Sequence, residues 1–188
     1  VATKNITYCT PGMYENALAT AGIEDADIIV AGPFNISGTA ALVGAIKSYE
    51  NMTGEEVNQE NVETATNELV VTGQVAESVG NQEKAEQLIG AIKEQVVDGE
   101  EITTEKIENV VDQAAQELEI KLSEEDRQAI IALMEKINNL DLDIESLKEQ
   151  AKNLYDKIES LDLNLNIDEE QVKGFFQRII DFIKGLFE

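Results

Sequence analysis

The 188 residues carry 14 Lys and Arg against 38 Asp and Glu, a formal charge of −24, and 43% of them are hydrophobic. With no His and a single Cys, the chain cannot build Ser-His-Asp, Cys-His or His-zinc sites, nor an internal disulfide. So large a negative charge opposes nucleic acid, whose phosphates need clustered Lys and Arg, and no run of 18 apolar residues predicts a membrane span.

The chain opens on Val1, with no initiator Met and no signal-peptide pattern, and therefore reads as processed or trimmed. Asn5-Ile6-Thr7-Tyr8-Cys9 alternates like a strand, and Cys9 at its end suits a small buried hydrophobe. Thr10-Pro11 places an N-cap before a proline at the first helical position, which predicts a helix to about Ala21 with Gly22 as its stop. Asp27-Ile28-Ile29-Val30-Ala31 is a continuous apolar run of the kind found in strands covered on both faces, and Gly32-Pro33 is expected to break it. A helix from about Gly38 to Glu50 follows. Strand, helix, strand, helix predicts a parallel crossover unit over residues 1–55. Two parallel strands leave unpaired edges, so further strands N-terminal to Val1, or a partner chain on Asn5–Cys9, are expected to complete the sheet.

Residues 56–188 have helical period throughout, with helices expected near 59–79, 82–98, 103–121, 124–139, 143–161 and 168–187. Val62, Ala65, Leu69, Ala76 and Val79 form one stripe, closed by Gly80; Ala85, Leu88, Ile92 and Val96 form the next, closed by Gly99. Ile102-Thr103, Leu142-Asp143 and Ile167-Asp168 each set an aliphatic residue before a capping side chain, and Ser123 with Asp126 resembles a capping box. Leu140, Ile144, Leu147, Ala151, Leu154, Ile158 and Leu161 form a short heptad seam, better suited to a bundle helix than to an oligomerising coiled coil. The fold class expected is α+β and mostly α-helical: a small β-α-β-α unit followed by a bundle of amphipathic helices.

Two stretches are distinctive, Asn5-Ile6-Thr7-Tyr8-Cys9-Thr10-Pro11-Gly12-Met13-Tyr14 continuing to Gly22, and Ala31-Gly32-Pro33-Phe34-Asn35-Ile36-Ser37-Gly38-Thr39-Ala40-Ala41-Leu42. They resemble the YpuA-like family of secreted Gram-positive bacterial proteins of unknown function. The resemblance implies an exported protein, extracellular or in the cell envelope, whose signal peptide and a further N-terminal portion are absent from this chain. It implies no activity and no catalytic residues.

The loops after the two strands emerge at one sheet edge, where α/β proteins bind ligands. Thr10, Ser37, Gly38 and Thr39 stand there at two helix N-termini and are the candidate ligand-binding residues, suited to a phosphate or carboxylate. The same hydroxyls also serve as plain helix caps, and no basic side chain accompanies them. No catalytic residue, metal site or cofactor is expected. Asp162 to Glu170 spaces oxygens like the start of a calcium loop, but Ile167 stands where the turn glycine belongs and Lys173 where the closing Glu belongs.

The last expected helix, 168–187, holds four of the five Phe residues. Phe175, Phe176, Ile179, Phe182, Ile183 and Phe187 make a broad apolar face, opposite Lys173, Arg178 and Lys184. This face suits a protein partner or self-association, and less well an anionic membrane surface, which the acidic remainder of the chain opposes. The function expected is a non-catalytic interaction or envelope-associated protein, with a small-ligand or anion-binding module as the alternative.

Overall fold

A computed structural model describes residues 2–23, 26–97, 102–140 and 142. Its elements run β1 (Ala2–Ile6), α1 (Pro11–Thr20), β2 (Ile29–Ile36), α2 (Thr39–Thr53), α3 (Gln59–Val79), α4 (Gln82–Val97), α5 (Thr104–Glu117) and α6 (Glu124–Asn138). The fold is mostly α-helical α+β, with one parallel strand pair.

Local chemistry accounts for most helix ends. Thr10 caps α1 by accepting from Met13 N, with Pro11 at the first helical position, and Gly22 turns the chain away at φ 76°. Asn58, Thr103 and Ser123 cap α3, α5 and α6, and Gly54 and Gly80 close α2 and α3 in the left-handed conformation. The cap of α6 departs from a capping box. The Asp126 carboxylate does not return to the Ser123 backbone; it accepts the hydroxyls of Ser123 at 2.6 Å and of Ser78 on α3 at 2.7 Å. Asp is a methylene shorter than the usual Glu, and its carboxylate ties α6 to α3 instead.

The strands correct three expectations. β1 lies earlier than Asn5–Cys9, spanning Ala2–Ile6, and Asn5 within it takes a left-handed φ of 58° that interrupts the regular register. Gly32-Pro33 does not end β2. The register pairs Lys4 with Ala31 and Ile6 with Ile36, so Asn5 alone stands opposite Gly32 to Asn35. Pro33 has no N–H to give the ladder there, and Gly32 O instead accepts from the Asn5 side-chain amide at 2.8 Å. Nor is β2 covered on both faces. Val30 is buried, whereas Ile29 is 81% exposed and Phe34 69%. One face of the ribbon meets the core; the other meets solvent.

Two apolar cores share α3. Its first half gives Ala65 and Leu69 to a core with Met13, Tyr14, Ala17, Leu18, Val30, Leu42 and Ile46. Its second half gives Val71 and Val75 to a core with Leu88, Ile92, Val111, Ile130, Leu133 and Met134. At about 1.5 Å per residue, α3 is long enough to span both. Helix α1 packs on α3 and α4, so the residues on either side of position 55 belong to one compact unit. That packing buries eight of the ten residues of α1, Asn16 and Thr20 included. Buried amide and hydroxyl groups must be hydrogen-bonded, and their partners come from α3 and α4.

Candidate functional site

Pairing of β1 with β2 brings the two strand-end loops together. Thr7 N donates to Ile36 O at 2.9 Å and Cys9 N to Ser37 O at 3.1 Å. Gly38 adopts φ 92°, and the Tyr14 hydroxyl donates to its carbonyl at 2.5 Å. A Cβ at position 38 would lie 2.5 Å from both Ile6 Cγ2 and Tyr14 Oη, so glycine is required on two counts. Burial, with the neighbouring Cys9, pushes the Tyr14 phenol above its ordinary range, and burial also raises the Cys9 thiol. Both are therefore neutral packing groups. Ser37 Oγ and Thr39 Oγ1 stand 3.4 Å apart at the solvent side.

Thr10 faces inward. Its hydroxyl donates to Glu86 Oε1 at 2.5 Å while accepting from Met13 N at 3.2 Å. The N-terminus of α1 is thus met by a carboxylate from α4. Glu86 is buried, and burial raises its pKa to about 7 against the opposing hydrogen bond from Thr10; Glu83 and Glu15 push it further up. A carboxyl poised there suits proton transfer, but its partner is a helix cap.

Two turns along α4, Lys93 makes the second polar tie. Its ammonium donates to Asn16 O at 2.7 Å, to Glu68 Oε1 at 2.8 Å and to Thr20 Oγ1 at 3.2 Å. The Thr20 hydroxyl in turn donates to the other oxygen of Glu68. Four hydrogen bonds close on one another with Glu68 fully buried. No buried side-chain nitrogen or oxygen among the described residues lacks a partner. No group of three or more Cys, Asp or Glu among them is placed to hold a metal ion.

Sequence reasoning missed Glu68, Glu86 and Lys93. The available signal was position: Glu86 and Lys93 lie seven apart within the span of the stripe Ala85, Leu88, Ile92 and Val96, and Glu68 lies between Ala65 and Leu69. A separate cleft of about 390 Å³ runs between α2 and α3, lined by Val43, Ile46, Lys47, Gln59, Val62, Glu63 and Thr66. It contains none of the expected ligand residues. Phe175, Phe176, Ile179, Phe182, Ile183 and Phe187 lie outside the described residues, as do the heptad seam beyond Leu142 and the segment from Asp162 to Glu170.

Residues 1–154, which include both loops and every tie described, match the model of a family described as protein of unknown function (DUF1002). The chain belongs to that family. It is 39% identical over 151 residues to the uncharacterized protein YpuA of Bacillus subtilis (strain 168). That match covers 80% of this chain and 52% of the relative, so the chain spans about half the length of the curated protein it matches. No solved structure matches it. The resemblance carried by residues 5–22 and 31–42 is therefore to the right family. In this DUF1002 chain the strand-end residues Thr10 and Gly38 are bound internally, and Ser37 and Thr39 face outward.

Proposed function

We propose that this chain belongs to an exported bacterial protein that acts without catalysis, by contact with another protein at the cell envelope. Export is what the resemblance to secreted YpuA-like proteins implies. The observation that carries the contact reading is the ribbon: Ile29 and Phe34 are exposed on β2, while Thr10 and the Gly38 carbonyl at the strand ends are engaged internally. Among β1 and β2 the sole charge is Lys4, so the ribbon is a nearly neutral apolar area on a chain of −24. Its outer edges have no strand partner among the described residues, which leaves room for the additional strand expected from sequence.

A photo-crosslinking side chain placed at Phe34, with one at exposed Glu60 of α3 as control, tests this in cells that secrete the protein. Adducts to one discrete protein at position 34 and none at 60 support the reading. Their absence, or robust hydrolysis of an ester, peptide or phosphate abolished by one substitution, overturns it. Self-association through Phe175, Phe176, Ile179, Phe182, Ile183 and Phe187 is the expected second contact. Light scattering on the intact chain and on a version ending at Leu165 reads that directly: a monomer in both removes it.

One observation supports the anion-binding alternative. The N-cap of α2 is Gly38, which makes no side-chain cap, so the first N–H groups of α2 are left to other partners beside Ser37 and Thr39. A thermal shift with phosphate or citrate that vanishes on Ser37→Ala with Thr39→Ala would establish it, and no shift would remove it.

A further inference from the structure

Beside the Asn16 side-chain amide, which donates to Glu86 O at 3.3 Å, and the Tyr14 hydroxyl on Gly38 O, two carboxyl-containing ties of different chemistry fasten helix α1 to the body. Near its C-terminal end, Asn16 O and Thr20 are held by the Lys93–Glu68 pair, in which opposite charges meet. At its N-terminal end, Thr10 is held by Glu86, a buried carboxyl that pairs with no cation among the described residues. The charges that act on Glu86 are both acidic, Glu83 one turn back on α4 and Glu15 on α1. On α3, Glu68 is taken up by Lys93 and Glu77 acts on Tyr8. No charge of α5 or α6 acts on it among the described residues. Lys84, on the same turn of α4, is drawn away to Leu118 O at 3.1 Å.

We propose that the Thr10–Glu86 contact is a proton-gated latch, closed when Glu86 is a neutral acid and loosened when it ionises. The neutral acid still offers its carbonyl oxygen to the Thr10 hydroxyl. The ionised form gains a stronger hydrogen bond, but it also meets a desolvated site and two like charges. Opening the first turn of α1 returns the carboxylate to water. The second fastening contains its own counter-charge and holds the C-terminal end of α1 throughout, so the opening is confined to the Thr10 end.

The direction follows from linkage. The closed state holds the proton up to about pH 7, whereas the group in water has the ordinary value of 4.5. Closure is therefore strongest below 4.5 and weakens as pH rises to 7. Beyond that the closed-to-open ratio is lower by up to about 300-fold.

Hydrogen exchange of the α1 amides, corrected for the intrinsic pH dependence of exchange, tests this on the intact chain at pH 5 and pH 8. Tyr14 N, which donates to Thr10 O, is the reporter. Wild type is expected to lose tens-fold more protection there than Glu86→Gln over the same interval. Carboxyl-carbon NMR of wild type supplies a readout that needs no variant: Glu86 should titrate near pH 7, and the Thr10 and Met13 amides should follow with the same midpoint. Parallel protection in wild type and Glu86→Gln, or a Glu86 midpoint below about 5, overturns the proposal.

Discussion

Replacing Lys93 with Met is the most informative test of how α1 is held. The methionine keeps most of the buried stem and removes the ammonium, leaving Glu68 fully buried beside the neutral Thr20 hydroxyl. Breaking a buried pair by removing one partner costs about 3–5 kcal/mol. Asn16 O loses only a second donor, because as a carbonyl inside α1 it keeps its helical N–H partner. A loss of about 3–5 kcal/mol is expected, which at about 2–4 °C per kcal/mol for a chain of this size lowers Tm by about 6 °C or more. Urea denaturation followed by circular dichroism measures it. The double variant Lys93→Met, Glu68→Met removes both charges together and fills the space with apolar atoms. It should recover about 2 kcal/mol or more over Lys93→Met. A single-variant loss under about 1 kcal/mol, or a double variant no more stable than the single, would refute the argument.

Gly38→Ala combines a left-handed φ with a Cβ 2.5 Å from Ile6 and Tyr14, and should destabilise by about 2–5 kcal/mol in chemical denaturation. Gly73 on α3 lies under Tyr8, whose hydroxyl would stand 1.9 Å from an added Cβ. Gly73→Ala should therefore destabilise the wild type, yet stabilise a Tyr8→Ala background by up to about 1 kcal/mol through helix propensity alone. The same sign in both backgrounds would show that the ring is not the cause. Ser123→Ala removes the α6 cap and one of two hydroxyls on Asp126, and should cost about 1–2 kcal/mol. Arg127→Ala breaks solvent-facing pairs with Asp112 and Glu108 and should change the denaturation midpoint little, and less still as salt is added.

Sequence alone determined the fold class, the family and the ends of most described helices. Thr10-Pro11, Thr103, Ser123, Gly22, Gly54 and Gly80 act on groups within a few positions of themselves, so their meaning is written locally. Helical period likewise told which positions of α3 and α4 turn inward. It could not tell what a charge inside an apolar stripe would meet there. Lys93 finds Glu68 25 positions away and Asn16 77 away, and Glu86 finds Thr10 across 76. The same residue types at the same spacing would have been solvated had α1 packed elsewhere. The strand pair divides in the same way. Its apolar run announced β2, but which face was covered depended on where the helices lay, and Ile29 and Phe34 ended in solvent. The interruption at Gly32-Pro33 was spanned by Asn5, whose side-chain amide and left-handed backbone let the ladder resume at Ile36. Local conformation is set by neighbours in the chain. The fate of a buried charge or an uncovered face is set by whichever element packs against it, and that is decided only when the cores close.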